Sequence, residues 1–226
     1  MNYRFAYSIG FHPWEDAATD PPFVNKFHGV IEREEKGRSA PFGAALDLGT
    51  GSGIWGIELA KRGWQVTGVD IVEKALKRAR ERAQRAGVNI RLVNGDVTAL
   101  RSCGINPGFR LVLDTGTFHD FDTAAQRAMG REIDAIGTPD TTVLLLVWPK
   151  RTRPLIRGAT RVEIEAAFPG WRITNVEPSH FRLPKILEMI LIRTNTGTDS
   201  VERKSQIFVT QLRPNPAVNW TCRFVG

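Results

Sequence analysis

Residues 44–56, Ala-Ala-Leu-Asp-Leu-Gly-Thr-Gly-Ser-Gly-Ile-Trp-Gly, constrain this chain more than any other stretch. A short apolar run, Ala44 to Leu48, feeds a glycine-rich turn, and a helix-forming stretch, Ile54 to Lys61, follows directly. A strand, a tight turn and a helix in one segment open a parallel α/β unit. Glycines in the turn let the backbone take positive φ and let a ligand lie against it. Gly51-x-Gly53-x-x-Gly56 fits the dinucleotide fingerprint. Asp47, two residues before Gly49, argues against a pyrophosphate, which a carboxylate at the strand end would repel. An acid beside such a turn suits a ligand with a cationic amino-acid end and no phosphate.

Beyond this segment, strand-like and helix-like runs alternate. The pattern predicts strands at 44–48, 65–70, 89–93, 109–114 and 142–148, and helices at 53–62, 72–86, 122–136 and 160–167. Gly63 and Gly87 stand where helices end. Such alternation builds a parallel sheet with helices on both faces and right-handed crossovers. Trp171–Val176 and Glu188–Arg193 read as two more strands. Pro178 and Pro184 lie in the short connection between them, which is too brief for a helical crossover, so the pair is antiparallel. The expected organisation is an N-terminal extension or lid over 1–40, one domain over 41–193 and a tail over 194–226 without assignment. In that tail Ile207-Phe208-Val209 reads equally as a further strand or as surface packing.

The 226 residues suffice for one large domain, and a hydrophobic fraction of 42% supports a real core. No apolar run approaches the ~20 residues of a membrane span. The N-terminus lacks a signal-peptide core, which suggests a cytoplasmic protein. Cys103 and Cys222 have no metal-ligand spacing, and no metal is implied. The net charge of +7 raises the question of nucleic acid. Much of the excess sits in residues 74–85, where Ala75, Leu76, Ala79 and Ala83 fall at helical spacing. The basic residues therefore occupy the outer face of a packed helix. Without interleaved aromatics to stack bases, that face reads as solvated surface, and a nucleic-acid partner is disfavoured.

Four acids fall at the carboxyl ends of predicted strands or just beyond: Asp47, Asp70, Asp96 and Asp114. Ligands of open α/β sheets bind at those ends. Val66-Thr67-Gly68-Val69-Asp70 places an acid about twenty residues past the glycine turn, the spacing at which an acid meets ribose hydroxyls. Together with Asn94-Gly95-Asp96-Val97 and Phe109-Arg110-Leu111-Val112-Leu113-Asp114, the series resembles the class I S-adenosylmethionine-dependent methyltransferases in order. The resemblance covers roughly residues 12–193. It implies a Rossmann-like, doubly wound sheet of seven strands in the order 3-2-1-4-5-7-6, the last antiparallel. It also implies S-adenosylmethionine as cofactor and S-adenosylhomocysteine as product. The cofactor-binding residues would be Asp47, Gly49, Gly51, Gly53, Asp70, Ile71, Asp96, Val97 and Asp114. Asp70 would take the ribose hydroxyls, and Asp96 with the Val97 amide the adenine. Three of the acids also have a local alternative: a helix cap at Asp70, a turn at Asp96, a turn with Gly116 at Asp114.

The segment after the fourth strand, Asp114-Thr115-Gly116-Thr117-Phe118-His119-Asp120-Phe121, resembles the small-molecule branch of that superfamily, including heterocyclic-toxin, thiopurine-like and tellurite-resistance-type enzymes. Enzymes that methylate amide or amine nitrogens in nucleic acid or protein usually carry an Asn-Pro-Pro-Tyr-type motif there, which this chain lacks. The expected acceptor is a small, aromatic or heterocyclic molecule methylated on O, N or S. His119 is the candidate general base, its ordinary pKa of about 6.5 suiting proton removal near neutrality. A structural histidine bonded to backbone is the alternative. His12, Trp14, Phe118 and Trp148 are candidates for lining the acceptor pocket, the first two from the lid. The competing functions are a nicotinamide-dependent oxidoreductase, an RNA methyltransferase and a non-catalytic binding module of the same fold. Oligomeric state has no signature in the sequence.

Overall fold

The computed structural model describes residues 3–10, 12–150, 157–180 and 206–217. Seven strands form one sheet: β1 (Ala44–Leu48), β2 (Gln65–Asp70), β3 (Arg91–Asn94), β4 (Phe109–Asp114), β5 (Gly137–Val147), β6 (Trp171–His180) and β7 (Gln206–Pro214), in the order β3-β2-β1-β4-β5-β7-β6. The first five run parallel, and β7 runs antiparallel to both β5 and β6. The carboxyl ends of β1 to β5 therefore meet at one edge. Register across that edge sets Asp47 against Gly68 and Leu113, Leu48 against Asp114, and Asp70 against Asn94.

Alternation along the strands feeds two cores. Leu46, Leu48, Val112, Val143 and Leu145 face one side, under α5 (Thr123–Ile136) and α6 (Arg161–Ala167), which supply Met129, Ile133 and Ile164. Ala45, Val66, Leu111, Leu113 and Leu144 face the other, with α3 (Ile54–Arg62) packed there through Trp55 and Leu59. On α4 (Glu73–Arg85) the alanines Ala75, Ala79 and Ala83 and Leu76 are buried, leaving the arginines outward as the spacing predicts. Asp122 caps α5 by accepting from the Ala125 amide, and Thr160 with Glu163 forms a reciprocal capping box on α6.

Two expectations change. Residues 1–40 are not merely an extension: they hold α1 (Tyr3–Ser8), a 3-10 turn (Pro13–Thr19) and α2 (Pro21–Glu35). Phe23, Phe27, Val30 and Ile31 of α2 are buried against Trp55, Leu59 and the sheet. Each such side chain contributes about 1.5–3 kcal/mol, so α2 belongs to the core. The spacing of these four residues, behind two prolines at the helix start, was a readable helical signal.

The seventh strand is Gln206–Pro214, inside the tail left unassigned. The expected strand at 188–193 lies outside the described residues. Of β7 only Ile207-Phe208-Val209 carries an apolar strand pattern; Gln211 and Arg213 beyond it are polar. Gln211 Nε2 and Arg213 Nη2 donate to Glu34 of α2 at 2.6 and 3.0 Å, and Thr142 Oγ1 of β5 donates to the same carboxylate at 2.8 Å. Glu34 is 7% exposed. A buried carboxylate with three side-chain donors is stable where an isolated one is not, and here it ties α2 to β5 and β7. Among the described residues no helix is long and apolar enough to cross a membrane.

Candidate active site

The turn after β1 lies at the carboxyl edge of the sheet. Gly49 and Gly51 take φ of +62° and +55°, a region that L side chains rarely enter. Space reinforces the requirement. A Cβ on Gly49 would stand 1.9 Å from Thr117 Oγ1, and one on Gly51 would stand 2.8 Å from the Tyr7 hydroxyl. Gly53 immediately precedes α3. Neither Tyr7 nor Thr117 was singled out from the sequence. Both lie on segments remote from the turn in sequence, and only the fold brings them onto it.

Asp47 sits beneath this turn, 1% exposed. Its Oδ2 accepts from Thr50 Oγ1 at 2.6 Å, and the nearby Gly56 amide also favours the charged form. Its Oδ1 is buried with no hydrogen-bond partner. Burial pushes the Asp47 pKa up to about 7 against those bonds. Asp70, at the end of β2, accepts the Gly51 amide on Oδ2 and the Val72 amide on Oδ1, each at 2.8 Å. It thus holds the glycine turn and the entry to α4 together. Each oxygen keeps a further lone pair. Burial again raises its pKa. Ile71 follows with its side chain 47% exposed at the strand end, an apolar group left standing in the open.

Asp96 is exposed, and its Oδ1 accepts from both the Thr98 amide and the Thr98 hydroxyl, the turn arrangement foreseen as the alternative. The Val97 side chain is in the core. Asp114 is wholly buried. Oδ1 accepts the Gly116 and Thr117 amides at 2.7 and 2.9 Å, and Oδ2 the Phe118 amide at 2.9 Å. The acid expected at the pocket mouth is instead the organiser of the turn that follows β4. Burial lifts its pKa to about 6 despite the three amides.

That turn carries Phe118 and His119 in a short 3-10 helix. Phe118 is fully buried against Phe168, with ring centroids 5.7 Å apart, so it is core rather than pocket wall. His119 is 6% exposed, with Nδ1 3.4 Å from the Leu146 carbonyl oxygen of β5 and Nε2 4.0 Å from Asp120 Oδ1. Burial lowers its pKa below the usual imidazole value, so the ring is neutral near pH 7. With the Nδ1 hydrogen donated to Leu146, Nε2 carries the lone pair. Trp148, just past β5, is half-buried and packs with the α2-side core.

His12 and Trp14 do not stand near β4 or β5. They gather with Tyr7 over α4. The Tyr7 ring centroid lies 5.6 Å from each of theirs, and Tyr7 and Trp14 cluster with Val72 and Ala75. Arg78 meets His12, and Glu15 meets Arg78 and Arg82 at 3.6 and 3.3 Å. Arg78 and Arg82 face Glu15, and Arg80 faces Glu73, so three of the six basic residues of 74–85 are paired with a carboxylate within the protein.

Residues 45–140 match the family described as "Methyltransferase domain". That match covers a little under half of the chain. The fold of the chain agrees over almost the whole length. Magnesium protoporphyrin IX methyltransferase of Synechocystis PCC 6803, solved with bound SAM, superposes with a TM-score of 0.70 at 17% identity, covering 94% of this chain and 95% of that one. The N-methyltransferase NodS of Bradyrhizobium japonicum WM9, in complex with S-adenosyl-L-homocysteine, gives 0.65 at 12% identity, covering 86% and 88%. In sequence, ribosomal RNA small subunit methyltransferase C of Alcanivorax borkumensis is 33% identical over 78 residues, which is 34% of this chain and 23% of that protein. The chain thus spans less than a quarter of the length of that curated relative.

Proposed function

We propose that this protein transfers a methyl group from S-adenosylmethionine to a small acceptor. The observation that carries the reading is the turn at Gly49–Gly53 with the unpartnered Asp47 oxygen buried beneath it and Asp70 beside it. A buried carboxyl oxygen with no partner is costly unless a cation or donor meets it, and the amino-acid end of this cofactor carries an ammonium. Bare glycine backbone admits that end closely. Asp70 offers two remaining lone pairs to a ribose diol, and Ile71 an apolar face to an adenine. When bound, S-adenosylmethionine supplies an electrophilic methyl group on a sulfonium.

The protein's own part is alignment and the exclusion of water. Asp114 fixes the turn that carries His119, and Leu146 fixes the imidazole tautomer. Neutral Nε2 then accepts a proton where the acceptor's nucleophile carries one. A small acceptor is favoured by the Asp-Thr-Gly-Thr sequence after β4. The solved neighbours named for a porphyrin and for N-methylation point the same way.

RNA is the second reading, favoured by the relative named for ribosomal RNA. The two separate in one assay. The protein is supplied with methyl-labelled S-adenosylmethionine and offered a panel of phenols, thiols and heterocycles alongside deproteinised ribosomal RNA. We expect label in a small molecule. Label confined to RNA, lost steeply with added salt, would overturn the small-acceptor reading.

A further inference from the structure

Tyr7 has no role in the function argued so far, and its surroundings are unusual for a phenol. It is 2% exposed, on a helix of six residues, and its hydroxyl accepts the Trp14 indole hydrogen at 3.3 Å. Among the described residues no acceptor takes the Tyr7 hydroxyl hydrogen. The oxygen lies over Gly51, the residue whose amide is held by Asp70. A buried donor without an acceptor is as costly as the buried Asp47 oxygen without a donor. The two stand by one glycine turn, the acid beneath it and the phenol over it. They form a complementary pair, an acceptor for a cation and a donor for an anion. A zwitterionic amino-acid end has both.

We infer that Tyr7 recognises the carboxylate of the cofactor's amino-acid end, donating its hydroxyl hydrogen at Gly51 while Trp14 fixes the phenol. This inference rests on the methyl-donor reading above and deepens it. Tyr7, His12, Trp14 and Glu15 therefore form a clasp over the cofactor, not a wall of the acceptor pocket. Its anchor is on α4: Glu15 to Arg78 and Arg82, and the Lys74 ammonium to the Ser8 carbonyl oxygen at 3.2 Å. Burial pushes the Tyr7 pKa up to about 12, so the phenol keeps its hydrogen at any working pH.

The test is calorimetric and needs no acceptor. Wild-type protein, Tyr7→Phe, Glu15→Gln and the double variant are titrated with S-adenosylhomocysteine and with 5′-methylthioadenosine, which lacks the amino-acid end. Tyr7→Phe should lose about ten- to a hundredfold in affinity for S-adenosylhomocysteine, the range for a hydrogen bond to a charged group, and stay within twofold for methylthioadenosine. Glu15→Gln should lose a smaller factor for the same ligand, and the double variant little more than Tyr7→Phe alone, since both act through one contact. Retained methylthioadenosine binding reports that the variants are folded. Equal losses for both ligands, or none for either, would overturn the inference while leaving the cofactor reading intact. Wild-type protein that binds neither ligand would overturn both.

Discussion

Asp47 and Asp114 sit on adjacent strands, one register step apart, each at a carboxyl end and each buried. Desolvation raises both, to about 7 and about 6. Their partners differ. Asp114 gives its two oxygens to three backbone amides and holds a turn. Asp47 leaves one oxygen with none. The same side chain in nearly the same place is thus a structural cap at β4 and an unfinished contact at β1. On the proposed reading, the difference marks the β1 end as the one that a ligand completes. At the β1–β2 end, lone pairs and a phenolic hydrogen are held in reserve, which is what a ligand site requires. At the β4–β5 end the polar groups satisfy each other, and His119 is the group left with chemistry to offer.

The sharpest way to break this contrast is to fill the turn. Gly49→Val places a branched side chain at φ +62° and into Thr117. It should lower affinity for S-adenosylhomocysteine at least a hundredfold by calorimetry. An equal affinity would show that the turn does not hold the ligand. Next in size, His119→Asn should lower kcat by about 10²-fold or more and leave S-adenosylhomocysteine affinity within twofold. A loss of affinity with kcat preserved would move His119 to the cofactor end.

The two acids give opposite stability predictions. Both pKa values are raised in the folded state, so folding holds extra protons. The stability these groups allow is full below about pH 4, near their unfolded pKa. It falls as pH rises through about 6 for Asp114 and about 7 for Asp47. Asp47→Asn keeps the shape and removes the buried charge. It should raise the melting temperature of the free protein at pH 8 by a few degrees, flatten the decline between pH 4 and 7, and still weaken cofactor binding. Asp114→Asn sets an amide group against three amide donors and should lower the melting temperature at pH 8. Matching signs for the two variants would erase the distinction drawn here. The smallest effect is expected away from the glycine turn. Glu34→Gln should cost about 1–3 kcal/mol of stability by denaturant titration with cofactor affinity unchanged.

The β1–β2 end was legible in the sequence because backbone conformation demands residue types. The positive φ values at Gly49 and Gly51 leave a glycine signature, and an acid ending β2 leaves another. The strand order followed from the resemblance those motifs carry. The β4–β5 end was less legible because burial decides roles there. Nothing local to Asp114 or Phe118 says that one caps a turn and the other packs on Phe168. Trp14 and His12 were read as lining an acceptor pocket, and the structure gathers them with Tyr7 against α4, a placement that only tertiary contact decides. Tyr7 and Thr117 had no signal of their own. β7 was only half legible: Ile207-Phe208-Val209 read as a strand or as surface packing, while Gln211 and Arg213 answer a carboxylate on α2 rather than an apolar core.

The central claim is that the reserved polar groups at the β1–β2 end are completed by a sulfonium-bearing nucleoside cofactor. Calorimetric titration of the wild-type protein and Asp70→Ala with S-adenosylmethionine tests it most directly, with NADH and NADPH as controls. The account predicts micromolar binding of S-adenosylmethionine, lost in Asp70→Ala, and no heat from either nicotinamide. Binding of the nicotinamides alone, or of no ligand at all, would contradict it.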